Sequence, residues 1–185
     1  MILPILAYGD PILRKKGIDI TPEYPGLNAL IENMWETMYE ASGVGLAAPQ
    51  VGKSINLFII DTGAFGETEE ATGEKRVFIN AKILEETGEK WDYEEGCLSI
   101  PHIRENVNRH SNLVIEYQDE FFKTHTATYS GLAARVIQHE YDHCIGVLFV
   151  DHISELKKRL IKNKLINISK GGARVDYKMR IPNGR

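Results

Sequence analysis

The residues best suited to chemistry are Gln138-His139-Glu140-Tyr141-Asp142-His143, an H-E-x-x-H pattern inside a stretch with helical periodicity. Positions four apart lie on one helix face, so His139 and His143 can present two ring nitrogens to one metal ion. Glu140 sits beside them, close enough to handle a proton on a metal-held water without being a ligand. Two imidazoles and one carboxylate are a working minimum for metal-assisted hydrolysis. The competing reading is two histidines and two acids on a solvated face. The helix context argues against it: Ser130 can cap, Leu132, Val136 and Ile137 recur at helical spacing, and Gly146 follows the last turn. His139 and His143 continue the face begun by Leu132 and Val136. They therefore point inward, where a histidine pair needs partners.

A catalytic metal of this kind usually has three protein ligands and one open position. Downstream, Asp151, His152 and Glu155 are the candidates. Upstream, Glu95-Gly96-Cys97-Leu98-Ser99-Ile100-Pro101 places a cysteine just before a proline that blocks helix continuation. As a thiolate, Cys97 would complete a Cys-His-His set. As an ordinary free cysteine it would be a small buried hydrophobe, and the residues alone leave both readings open. A third segment runs from Gly43 to Gly52, Gly-Val-Gly-Leu-Ala-Ala-Pro-Gln-Val-Gly. Its paired glycines allow close backbone approach to a ligand, and Gln50 is an uncharged amide able to donate to a developing oxyanion. It also reads as a helix end passing through a glycine loop into a strand. It lacks the spacing of a dinucleotide or phosphate loop.

Taken in order, G-x-G-L-A-A-x-Q, E-G-C-L-S and Q-H-E-x-D-H resemble the peptide deformylase family, in the E-G-C-L-S-I-P version of its compact bacterial-type members. The motifs span Gly43 to His143. Cys144 departs from the pattern, since members often carry leucine after the last histidine, but a small apolar thiol can fill a similar place. The resemblance implies a metal-dependent hydrolase that removes the N-formyl group from the formylmethionine of nascent polypeptides and releases formate. It implies Cys97, His139 and His143 as ligands of one divalent ion and Glu140 as the proton carrier. The Gln50 amide and the Leu98 N–H would face the oxyanion. Val44, Leu132 and Val136 would form the methionine pocket with the His139 ring face, and the peptide would pair as an added strand between Val44-Gly45 and Gly96. Fe(II) is the implied native ion. The ligand types also suit Zn(II), Ni(II) or Co(II) and do not choose among them.

Asp142 should face away from the metal, as a partner for Arg109 or as a solvated acid. His102, His110, His125 and His152 belong to no comparable constellation and read as structural or surface residues. Two other functions compete. A zinc peptidase of the H-E-x-x-H type would need a convincing downstream ligand. A catalytically silent, metal-stabilised domain that captures peptide N-termini would need neither Glu140 nor Gln50.

The elements that must position these groups are coarsely readable. Asp10-Pro11 through Lys16 can start a short helix. Pro25 to Ala41 is a stronger one, with Leu27, Leu30, Ile31, Met34, Trp35 and Met38 at helical spacing. Strands are predicted at Ile55–Asp61, Val77–Ile83, around Val107, at Leu113–Tyr117 and at Thr124–Tyr129, the last two joined by a charged turn at Gln118–Lys123. The acidic, glycine-bearing Gly63–Lys75 should be a mobile surface loop. This is an α+β pattern: antiparallel β-sheets packed around a central metal-binding helix, with a C-terminal helix.

At 185 residues the chain should form one catalytic domain, 1–185. No apolar run approaches membrane-spanning length, and Met1-Ile2-Leu3-Pro4 lacks a cationic leader. Two cysteines give no disulfide framework, which suits a reducing cytoplasm. The net charge of −4 is divided unevenly. Residues 155–185 carry ten Lys or Arg against two acids, +8, and the rest carries twelve against twenty-four, −12. Ile153, Leu156, Leu160 and Ile161 should pack on the body and leave the lysines outside. Such a segment is either a solvated basic helix or a weak, salt-sensitive ribosome contact, the partner that the family resemblance implies.

Overall fold

In the computed structural model, which describes residues 1–66 and 73–182, the strongest helical periodicity becomes helix α1 (Leu27–Glu40). Leu27, Leu30, Ile31, Met34 and Met38 are its buried stripe. Near the N-terminus, Pro11–Arg14 is a single 3-10 turn, and the Asp10 side chain caps it by accepting from the Ile12 N–H.

The main sheet is antiparallel, in the order β2 (Gly45–Ala47), β3 (Leu57–Asp61), β4 (Lys75–Cys97), β5 (Ile100–Gln118) and β6 (Thr124–Ser130). The Leu57-Phe58-Ile59-Ile60 run in β3 is wholly buried, paired on both edges. β4 and β5 form one long hairpin that begins at Cys97 opposite Ile100 and reaches back to Ile79 opposite Gln118. The β-rich run Val77–Ile83 predicts that the first of these strands ends at Ile83. The structure carries it on to Cys97, because a two-stranded ribbon with largely solvated faces needs no apolar alternation to mark it. Register shifts at Ile79/Lys82, Ile83/Glu85, Thr87/Lys90 and Gly96/Cys97 interrupt the ladder. Such bulges bend a hairpin and increase its twist. The predicted Gly63–Lys75 loop opens as a short 3-10 helix, Thr62–Phe65, and its middle, residues 67–72, lies outside the described residues.

Helix α2 (Gly131–Cys144) packs across β2, β3, β5 and β6. Ser130 occupies its N-cap position without a side-chain capping bond. Gly146, at φ 78, turns the chain away after the last turn, where a Cβ would lie 2.6 Å from the Arg14 carbonyl oxygen. Helix α3 (Glu155–Ser169) is capped by Ser154 and buries Ile161, Leu165 and Ile168. Here the structure corrects the expectation. Ile153 and Ile161 are buried, but Leu156 and Leu160 are 68% and 71% exposed. At 3.6 residues per turn they lie roughly 100–140° around the helix from the inward stripe. A second difference is β1 (Ile5–Leu6), which pairs in parallel with β7 (Met179–Arg180) as a separate two-stranded sheet. Two-residue strands are too short to show any period.

Three apolar clusters result, and the motif residues sit where they meet. Leu98 packs on the cluster around α1 and β3. Val44 and Val136 belong with the cluster between the sheet and α2. Cys97 packs on the one formed by β1, the ribbon and α3.

Candidate active site

α2 places His139 and His143 one turn apart with ring centroids 5.2 Å apart, and the end of β4 brings Cys97 to them. Cys97 Sγ lies 3.3 Å from His143 Nε2, and one donor atom from each of the three residues falls within 4.8 Å of the others. Downstream, Asp151 is engaged with Arg14 and His152 with Asp142, and neither joins this group.

Each donor is prepared by its surroundings. Burial pushes the Cys97 thiol up, but the neighbouring His143 and His139 outweigh it and bring it down to about 5. These neighbours favour the thiolate, the form that binds metal. His139 Nδ1 lies 2.9 Å from Glu95 Oε2. An ionised carboxylate can only accept, so Nδ1 carries the proton and Nε2 is the atom left to face Cys97. Among the described residues, His143 Nδ1 and Glu140 Oε2 are buried without a hydrogen-bond partner. Glu140 is 4% exposed. Burial drives its carboxyl up to about 7 against the pull of the neighbouring histidines. Gly45 makes room for it: a Cβ there would lie 2.8 Å from Glu140 Cγ and Cδ.

Gln50 comes from the 3-10 turn Ala48–Val51, and its amide orientation is set by the Ala47 N–H donating to Oε1 at 2.8 Å. Nε2 is thereby aimed at Cys97 Sγ (3.5 Å) and Ser99 Oγ (3.3 Å). A cavity of about 690 Å³ opens over these groups. Val44, Gly45, Gln50, Gly96, Cys97, Leu98, Val136, His139 and Glu140 line it. Leu132, predicted as a pocket residue, does not. It is buried one turn before Val136, outside the cavity wall.

A family model described as polypeptide deformylase matches residues 2–159. Peptide deformylase of Christiangramia forsetii is 60% identical over the whole of this chain and 98% of its own, and that of Flavobacterium johnsoniae is 56% identical over 97% and 96%. The chain belongs to the polypeptide deformylase family. Solved structures agree. Peptide deformylase from Legionella pneumophila superposes with a TM-score of 0.81 at 38% identity, covering 94% of this chain and 99% of that one. The Thermotoga maritima structure gives 0.75 at 41% identity, covering 83% and 99%. The chain is accordingly a hydrolase of protein N-terminal processing that removes N-formyl groups, and its Cys97–His139–His143 group suits the metal that this deformylase chemistry uses.

Behind the donors of this deformylase site lies a support that the spacing of the motifs does not show. Glu95 is 5% exposed and accepts from Arg109 Nε at 2.7 Å and Arg135 Nη1 at 3.0 Å, as well as from His139. Burial raises its pKa, but these hydrogen bonds and charges prevail and hold it far below the carboxylate range. Arg135 also donates to the Trp91 and Val107 carbonyls, at 2.7 and 2.8 Å, and lies over the Trp91 ring at 4.7 Å. It fastens the ribbon to α2. Arg109 bonds Asp142 at 2.8 Å, the first of the two readings open for that acid, and Asp142 in turn meets His152 at 2.8 Å. The signal for Glu95 was its place in the motif beside Cys97. Arg135 had none, since a cation in a helix usually reads as solvated.

Removing Glu95 should therefore damage two things at once. Glu95→Ala leaves two buried guanidinium groups short of a counter-charge, a loss of about 3–5 kcal/mol. It also frees the His139 ring, which weakens metal affinity by about 10–100-fold. Urea unfolding and metal titration measure the two separately. Because the folded-state pKa of Glu95 is depressed, its stabilisation is full above the ordinary carboxylate value. It is lost as pH falls through the depressed one. The wild-type and variant unfolding curves should thus converge only in strong acid.

Proposed function

We propose that residues 1–185 act as a single catalytic domain that deformylates N-terminal formylmethionine, with Cys97, His139 and His143 holding one divalent ion. The observation that carries this reading is the convergence of a cysteine sulfur and two imidazoles beneath a cavity that also contains a buried, unpartnered carboxyl oxygen. A thiolate with two imidazoles suits Fe(II), Zn(II), Ni(II) or Co(II), and Fe(II) is the native ion in this reading. When bound, such an ion supplies Lewis acidity and makes water ionise near neutral pH.

The protein groups do the rest. Glu140 takes the proton from the attacking water and returns it to the leaving amine nitrogen, acting as base and then acid; a carboxyl poised near 7 suits both steps. The Gln50 Nε2–H and the Leu98 N–H donate to the formyl oxygen as charge builds on it. Val44, Val136 and the His139 ring face give an apolar wall for the methionine side chain. Gly45 and Gly96 leave main chain open for the peptide to pair as an added strand. Formate release from formyl-Met-Ala-Ser without peptide-bond cleavage is the test. Cleavage between residues would favour a peptidase, and neither product would favour a silent binding domain.

The cytoplasm is the proposed compartment. Two free cysteines, one of them in the donor set, suit a reducing environment. No helix among the described residues is long and apolar enough to cross a membrane. The proposed partner, besides nascent formylated chains, is the ribosome, met through the basic segment 155–185. On α3, Lys157 already pairs with Glu105 and Lys158 with Glu155, both at 2.8 Å, so Lys162 and Lys164 carry more of the free charge. Charge reversal at all four should cut co-sedimentation with ribosomes at low salt and leave turnover of short peptides unchanged. Undiminished co-sedimentation would make α3 a solvated helix only.

A further inference from the structure

After α3 the chain does not leave the site. Arg174, Val175, Asp176 and Tyr177 form part of the cavity wall, although they lie beyond the segment 2–159 matched by the family model. This strap is fastened at three points. His102, in the left-handed region at φ 63, meets the Arg174 carbonyl oxygen through Nε2 at 2.7 Å. The Tyr177 hydroxyl donates to the Leu98 carbonyl at 2.7 Å. Met179 and Arg180 pair with Ile5 and Leu6, and the Ile5 and Ala7 N–H groups donate to the Lys178 and Arg180 carbonyls at 2.9 Å.

Two of these connections converge on one turn. Cys97 pairs with Ile100, so Leu98 and Ser99 are the whole connection between β4 and β5. Neither residue has a positive φ. Two-residue turns that match strand twist need one at the first or at both positions, so this turn lacks the local geometry that usually holds a hairpin end. It is braced from outside instead. Tyr177 grips the Leu98 carbonyl, the Tyr8 N–H donates to the Ser99 carbonyl at 2.8 Å, and Gln50 Nε2 reaches Ser99 Oγ. Tyr8 lies two residues beyond β1, so the two ends of the chain clamp the turn together.

We propose that Tyr177 is a positioning residue for the deformylase reaction. By holding the Leu98 carbonyl it fixes the attitude of the residue whose N–H faces the formyl oxygen, and the strap 174–180 is thereby a working part of the site. This rests on the assignment of the Leu98 N–H made above. Tyr177 needs no contact with substrate to have this effect.

Tyr177→Phe keeps the ring and removes one hydrogen bond. On metal-replete, full-length enzyme kcat for formyl-Met-Ala-Ser should fall about three- to tenfold, the worth of one neutral hydrogen bond, with KM within about twofold. Metal content should not change, and Tm should fall by no more than about 5 °C, leaving the enzyme fully folded at the assay temperature. In zinc-loaded, isotope-labelled protein, backbone order parameters should drop at Leu98 and Ser99 and stay constant along α2. Wild-type kcat in the variant, or a loss that tracks Tm or metal content, overturns the proposal, as does an unchanged, rigid turn. If the wild type itself released no formate, the assignment of the reaction would fall instead. The order parameters would still decide whether Tyr177 holds the turn.

Discussion

Replacing Glu140 by glutamine lowers kcat on formyl-Met-Ala-Ser by on the order of 10²- to 10⁴-fold while the metal stays in place. That range corresponds to about 3–5 kcal/mol of lost transition-state stabilisation. The substitution keeps the shape of the side chain and all three donors of the Cys97–His139–His143 group, and removes only the ability to take up and return a proton. Steady-state kinetics on samples of matched metal content measure it. Near-normal kcat would mean that another group carries the proton. A second readout needs no substrate. Burial raises the Glu140 carboxyl to about 7, above its unfolded value, so in the metal-free protein the folded state holds a proton there that the unfolded chain releases. Stability contributed at this site is therefore present below the unfolded value and is lost as pH rises towards 7. The glutamine variant should gain on the wild type across that interval and match it in acid.

Cys97→Ala removes the only thiolate among the donors, and it should abolish tight metal binding and turnover together. The loss should exceed the roughly 10–100-fold that follows loss of an outer hydrogen-bond partner, because a donor atom itself has gone. Cys144→Ala is the matched control. Cys144 lies on the same helix as the histidines but is buried against the Leu57 carbonyl, 3.6 Å away, and burial pushes its thiol far up. It stays protonated and inert. Metal analysis after dialysis should find the ion in Cys144→Ala and not in Cys97→Ala. The reverse pattern would sink the ligand assignment.

These two substitutions mark different depths of legibility. Glu140 and the histidine pair lie within one helical stretch, so a spacing of four residues is enough to put His139 and His143 on one face. The same local logic makes α1 readable from Leu27 to Met38, the β3 run from Leu57 to Ile60, and the end of α2 at Gly146. Order and spacing of the three motifs carried the family. Local periodicity describes only neighbours along the chain, however. It left Cys97 with two readings, ligand or buried hydrophobe, until the ribbon brought Sγ to 3.3 Å from a histidine 46 residues away.

The sequence by itself thus determined the helix that carries the histidine pair, the buried strand and the family. Tertiary structure alone decided the partners across the chain. Glu95 could be seen in its motif, but its two guanidinium partners and the imidazole it orients come from β5 and α2, and nothing local says that Arg135 turns inward. Leu156 and Leu160 face solvent because the register of α3 on the body, set at Ile161, Leu165 and Ile168, leaves them off the stripe. Leu132 is buried outside the cavity wall, a placement that only the packing of α2 settles. Tyr177 reaches Leu98, 79 residues away, only because the two chain ends pair as a parallel two-stranded sheet. The physical reason is common to all four. Helix and strand periods are fixed by backbone geometry within a few residues, whereas a buried charge, a pocket wall or a braced turn depends on groups that only the packed chain brings together.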